Sequence, residues 1–274
     1  MKKLLLFMIS VCFLILLFFM SKEMEEKGRR EQSLKGEPSL KELLNIALQP
    51  VGKTMYVWGG GWNEEDNGAG EETRRIGLSP LWEEFAQKQG AFYDYETTRY
   101  QIHQGLDCSG YIGWVVYNLL ETENEKEGYV TKASQMAKSL ADKGLGDYTK
   151  NKQVTDWQPG DVMSMEDHVW MVVGACQDGS VVLLHSSPPG VTLAGTKLDG
   201  KDKSMAETLA AKYMAKYYPH WYEKYSDISC DTTYLETAHR MRWSPKILQD
   251  AEGLRYKNAE EILMVLFGET YYIP

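Results

Sequence analysis

Cysteine is scarce in this chain: there are four in 274 residues, scattered along its length. That excludes a disulfide-dense fold and a zinc finger, which need closely spaced thiols. Proline is scarce too, at nine, and the 24 glycines follow no period, so collagen-like and low-complexity readings fall away. A basic surplus is missing: 30 Lys and Arg stand against 39 Asp and Glu. A nucleic-acid binder needs a basic surface to displace counterions, so that class is excluded. No internal repeat is visible. What is present is globular, with 43% hydrophobic and 25% charged residues. The length allows one large domain or two small ones around a sizeable core.

One long apolar run stands out. Leu4 to Met20 is apolar except for Ser10, and it follows Lys2 and Lys3. As a helix it would span roughly 26 Å, close to a hydrocarbon core of about 30 Å. A cleaved signal peptide has the same layout, but no small-x-small site follows the run, which ends Phe18-Phe19-Met20-Ser21-Lys22. Cys12 does not suit lipidation, because the apolar run continues well beyond it. An uncleaved anchor over residues 1–21 is therefore favoured over a secreted form. Lys2 and Lys3 favour an inside N-terminus; Lys22, Lys27, Arg29, Arg30 and Lys35 oppose it.

Residues 22–38 are charged and nearly free of apolar side chains, and read as a solvated linker. Ser39 then caps a short helix with Leu40, Leu43, Leu44 and Ala47 on one face. The aromatic stretch Tyr56-Val57-Trp58 ends in Gly59-Gly60-Gly61, a strand end or a close backbone approach. Residues 61–104 read as an insertion, with a helix from Ser79 to Gln89. Residues 106–120 read as a buried helix with Asp107 or its neighbour as N-cap. Trp157 to Val162 is a turn feeding a strand, and runs 168–174 and 180–185 form a hairpin about Gln177-Asp178-Gly179. Residues 203–219, 234–249 and 258–267 read as helical. The cluster Tyr213, Tyr217, Tyr218, Trp221, Tyr222 and Tyr225 is expected to pack that C-terminal part rather than bind glycan.

Chemistry points to Cys108. At a helix start its thiol meets unsatisfied N–H groups and the positive end of the dipole, which favour a thiolate and then an oxyanion. A buried structural cysteine is the commoner fate of an isolated thiol, but a polar, glycine-containing entry is unusual for it. A base is needed, and the five histidines are 103, 168, 185, 220 and 239. His168 opens one hairpin strand and His185 closes the other. With a two-residue turn, 168 faces 189, and 189, 187 and 185 share one side of the sheet. That register leaves the imidazoles offset by four residues, so contact requires a bulge or strong twist. Cys176 and Cys230 are the candidates for a disulfide outside the cell, though spacing gives no geometry.

Taken in order, Tyr56-Val57-Trp58-Gly59-Gly60, Leu106-Asp107-Cys108-Ser109-Gly110, Pro159-Gly160-Asp161, Asp167-His168-Val169 and His185-Ser186-Ser187 resemble the NlpC/P60 cysteine peptidases. The resemblance spans residues 56–187, about half the chain. It implies an α+β, papain-like core over residues 39–200, with a helix carrying the cysteine packed on an antiparallel sheet. By the same resemblance Cys108 is nucleophile, His168 general base and His185 the orienting third residue. Tyr56 would lie beside the cysteine, and Asp107 and Ser109 would help bind the free amine of a stem peptide. The 47 residues between Gly60 and Cys108 are far more than the family usually has there, and are expected to form a lid or an extra substrate wall.

The expected protein is a membrane-anchored, extracytoplasmic peptidoglycan hydrolase, with residues 201–274 as a helical C-terminal extension. The function, not the charges, selects an inside N-terminus. The implied bond is the γ-D-glutamyl to diamino-acid amide of the stem peptide. The expected partners are stem peptides and the bilayer, without nucleic acid, cofactor or metal. The alternatives are an amidase or acyltransferase on the same fold, and a non-catalytic binder of wall peptides.

Overall fold

The computed structural model describes residues 37–120 and 127–269, so the expected anchor and almost all of the expected linker lie outside the described residues. No helix among the described residues is long and apolar enough to cross a membrane. Residues from Pro38 onward form one compact unit of mixed α and β structure.

Helix α1 (Leu40–Leu48) starts where the Ser39 hydroxyl accepts the Glu42 N–H, and it buries Leu40, Leu43, Leu44 and Ala47. Strand β1 (Met55–Tyr56) leads into the glycine run. The insertion carries helix α2 (Pro80–Lys88), whose proline stands in the first turn. Strand β2 (Gly105–Leu106) runs parallel to β1 and hands the chain to α3 (Cys108–Leu120). Eleven of the 13 residues of α3 are buried, so it is a core helix with no solvent stripe. It packs on α1 and on the central strands of the sheet.

Helix α4 (Met136–Asp142) and strand β3 (Gly146–Thr149) follow, then the meander β4 (Val162–Ser164), β5 (Val169–Ala175), β6 (Val181–Ser187) and β7 (Gly190–Thr196). Continuous β-branched and aliphatic runs explain why β5 and β6 are buried along nearly their whole length.

The region after residue 200 differs from expectation. Helices α5 (Met205–Tyr217), α6 (Pro219–Lys224) and α8 (Ala259–Phe267) are there, and α7 (Thr233–Thr237) is a short one. But β8 (Ser229–Cys230) and β9 (His239–Trp243) join the sheet, so this part is not only helical. The sheet order is β2-β1-β7-β6-β5-β4-β9-β3, with β8 beside β7. The helical reading of 234–249 failed on His239-Arg240-Met241-Arg242-Trp243, where Met241 and Trp243 are buried at the period of a strand. The two arginines that alternate with them are ion-paired, Arg240 to Asp156 and Arg242 to Asp156 and buried Asp161. The tyrosine cluster does pack this region: Tyr217 stacks on Phe267 at 4.2 Å and Trp221 meets Tyr225 at 4.9 Å.

Candidate active site

The start of α3 is built by hydrogen bonds and by backbone contact. Asp107 accepts the Gly110 N–H at 2.7 Å and the Ser109 hydroxyl at 2.8 Å, which makes it the N-cap. Trp62 Nε1–H donates to Ser109 Oγ at 3.0 Å, tying the glycine run to the helix. A Cβ on Gly110 would lie 2.1 Å from the Gly60 carbonyl oxygen, so only glycine lets these two backbones meet. Asp107 and Ser109 are both buried and spend these hydrogen bonds on one another and on the helix.

Cys108 is 7% exposed. The N–H groups of Val169, Ser109 and Cys108 itself favour its thiolate, but burial, then the Asp107 carboxylate, outweigh them and push the thiol up to about 12. The resting group is therefore a neutral thiol, contrary to the expectation from the helix dipole alone. Burial also raises Asp107, to about 6, against the N–H and hydroxyl groups it accepts from.

The imidazoles meet. His168 Nε2 and His185 Nδ1 are 3.0 Å apart, with the rings at 78°. Two register changes bring them together. The hairpin closes with Cys176 opposite Ser180, around a three-residue loop in which Gly179 takes φ +90°. A bulge between Val172 and Gly174 then shifts β5 by one more residue, to Met171 opposite Leu184. Each change alone would flip His168 to the other side of the sheet; together they restore the face and halve the offset, leaving a diagonal pair. Burial lowers His168 to about 4 and holds His185 well below its ordinary value, with the His168 ring adding to the second effect. Both rings are neutral at physiological pH.

The thiol lies against the peptide that follows His168, with the Val169 N–H favouring its charge. Among the described residues no hydrogen bond joins the thiol to either imidazole. Tyr56 is buried beside Cys108 and Asp107, and burial first, then the charges of those two groups, raise its phenol. Residues of the 61–104 segment line this side: the Tyr93 hydroxyl donates to the Tyr56 carbonyl at 2.7 Å, and the Tyr95 ring meets the Tyr56 ring edge-on at 5.4 Å. On the histidine side a cavity of about 500 Å³ is bounded by His185, Thr192, Tyr93, Trp221, Asp227 and Tyr234.

The six residues named from sequence thus fall in two adjoining groups: Cys108, Tyr56, Asp107 and Ser109 at the helix start, His168 and His185 on the sheet. Asp161 of the Pro-Gly-Asp turn sits apart, buried in its ion pair with Arg242. His103 pairs with Glu72, and His239 Nδ1 accepts the Asn151 N–H. Cys176 and Cys230 are separate buried thiols. Sequence reasoning missed Trp62, for which the aromatic beside the glycine run was a signal, and Tyr234, for which there was none. No protein-family model, curated protein or solved structure shows a significant match to this chain.

Proposed function

We propose that the chain is a cysteine peptidase of the NlpC/P60 kind with a papain-like core, hydrolysing amide bonds of peptidoglycan stem peptides. In this reading the apolar N-terminal segment anchors it and the catalytic domain is extracytoplasmic. The observation that carries the reading is the His168–His185 hydrogen bond beside a cysteine at a helix N-terminus. The substrate class rests on the ordered motifs, with the γ-D-glutamyl to diamino-acid amide as the bond.

The tautomers follow from the geometry. For His168 to take a proton at Nδ1, its Nε2 must carry hydrogen and donate to His185 Nδ1, which must be bare. A neutral His185 meets that condition, and its burial keeps it neutral. The Cys108 proton passes to His168 Nδ1 as sulfur attacks the amide carbon. Burial resists a lone thiolate and a lone imidazolium alike, and one transfer that makes both creates an attractive pair. N–H groups at the helix start stabilise the oxyanion. The C–N bond breaks as the imidazolium gives its proton to the leaving amine, and a thioester remains. Water then loses a proton to His168, attacks the thioester, and the thiol is restored as the acid departs.

The test is a set of initial rates on a tetrapeptide stem, with cleavage sites read by mass spectrometry and affinities measured separately. Cys108→Ala and His168→Ala should each abolish turnover while binding stays within a few-fold, because nucleophile and base act as a unit. His185→Ala should cost about 10- to 100-fold, since an orienting group supplies no reacting atom. Wild-type rates in Cys108→Ala would overturn the assignment, and binding without cleavage by the wild type would replace the enzyme with a binder. A product other than the cut peptide would favour an amidase or acyltransferase.

A further inference from the structure

The segment between β8 and β9 crosses the sheet. β8 pairs with β7 at Gly195 and Thr196, and β9 pairs with β4 at Ser164, each on the edge away from β6 and β5, so residues 231–238 must pass β7, β6, β5 and β4. Tyr234 lies in the middle of that passage, and its ring touches three others at once. Its centroid is 5.5 Å from His168, 6.0 Å from His185 and 5.8 Å from Trp170. Trp170 stands opposite Met163 on β4 and next to Met171, which faces Leu184 on β6, so by strand alternation it shares a face with both imidazoles. The Tyr234 hydroxyl is engaged with the Cys230 thiol, and burial, with the charges of Cys230 and Cys108 behind it, raises the phenol. The hydroxyl is thereby turned to the segment's own start, and the ring is what the histidines meet.

We propose that Tyr234 is a positioning residue: its ring clamps the His168–His185 pair against Trp170 and holds the angle at which one nitrogen of His168 is left for a proton. The inference rests on the peptidase reading for its consequence in rate, but not for the clamp itself. One hydrogen bond fixes a distance and leaves both rings free to turn about it. Edge and tilted contacts to a third ring remove that freedom, and the same ring excludes water from the bond. The titratable groups on the surrounding elements are Cys108 on α3, Cys230, Asp231 and Tyr234 on the crossing segment, Tyr93, Lys224, Tyr225 and Asp227 around the cavity beside His185, and exposed Glu166 and Asp167 before β5. Burial alone sets the direction for His168. Removing the roof should therefore act on His168 through water, and on His185 through water and through the charge of His168.

Three variants of the full-length chain separate the possibilities: Tyr234→Phe, Tyr234→Leu and Tyr234→Ala. The imidazole titrations of His168 and His185 are followed by nitrogen NMR, and kcat and KM are measured on the stem tetrapeptide across pH. Tyr234→Leu and Tyr234→Ala should raise the His168 midpoint by about one pH unit as water reaches it. They should lower kcat at least about tenfold with KM changed less than about threefold, since the substrate is bound but the base is loose. Tyr234→Phe keeps the ring and should recover most of that loss. Unchanged titrations and kcat in Tyr234→Leu would overturn the proposal, as would a Tyr234→Phe protein as impaired as Tyr234→Leu, which would move the role to the hydroxyl. If Tyr234→Ala does not fold, Tyr234→Leu, which retains volume, decides. If the wild type cuts no stem peptide, the titrations still decide the clamp while the peptidase reading falls by itself.

Discussion

At the cysteine end of the site, backbone and hydrogen bonds fix the geometry: Gly110 against the Gly60 carbonyl, Asp107 capping α3, Trp62 held to Ser109. At the histidine end, one hydrogen bond and a set of ring contacts do the same work. The first kind of support has no slack, because a main chain cannot move aside. The second is set by side-chain shape and by the exclusion of water. The two ends also answer acid in opposite ways, since burial raises a carboxyl at one and lowers an imidazole at the other.

The largest effect should come from removing the fit at the cysteine end. Gly110→Ala puts a methyl 2.1 Å from a carbonyl oxygen. It should destabilise the protein by more than about 3 kcal/mol, measured by urea unfolding, because neither partner is a flexible side chain. A change below about 1 kcal/mol would mean that the helix start yields easily, and the contrast would be lost.

Next is the pH response. His168 titrates at 6.5 unfolded and about 4 folded. Its contribution to stability is complete above the first value and lost as pH falls toward the second. Asp107 titrates at 3.8 unfolded and about 6 folded, so its ionisation costs stability above 6, and that cost is relieved as pH falls. Each is worth on the order of 3 kcal/mol, and between pH 6.5 and 4 they oppose one another. Asp107→Asn keeps a cap acceptor and removes one side of that balance. Its stability should fall more steeply on acidification than the wild type's, by on the order of 3 kcal/mol between pH 7 and 4. Parallel denaturation curves for the two proteins would break the comparison.

The smallest effect concerns the thiols. Cys108 is pushed up to about 12 and Cys176 to about 11, both mainly by burial. Iodoacetamide at neutral pH should therefore label Cys108 in the folded protein no more than about threefold faster than Cys176, scored by peptide mapping. Labelling of Cys108 many times faster would restore the dipole as the stronger influence in the resting state.

Local signals were read well wherever one element answered to one pattern. Ser39 with its leucines gave α1, and the residues after Asp107 gave α3 with its cap. The need for a bulge or strong twist between His168 and His185 followed from their four-residue offset in the simple register, and a bulge is at Val172 and Gly174. What failed was pattern that tertiary partners complete. Arg240 and Arg242 made β9 look like the polar side of a helix, because their carboxylate partners at Asp156 and Asp161 are some eighty positions away. Tyr234 opens the stretch 234–249 that reads as helical, and nothing in that pattern hints at the rings it meets across the sheet.

Strand order has a consequence in time. Among the described residues β3 pairs with β9 and with no other strand, Gly146 against Trp243 and Thr149 against Arg240. On a ribosome adding about 5–20 residues per second, β3 is made and then waits roughly 5–20 s for a partner roughly a hundred residues downstream. The edge of β4 that β9 will occupy stays open for nearly as long. Over that interval the nascent chain presents two unpaired strand edges, and whatever factor attends its synthesis has those edges to protect.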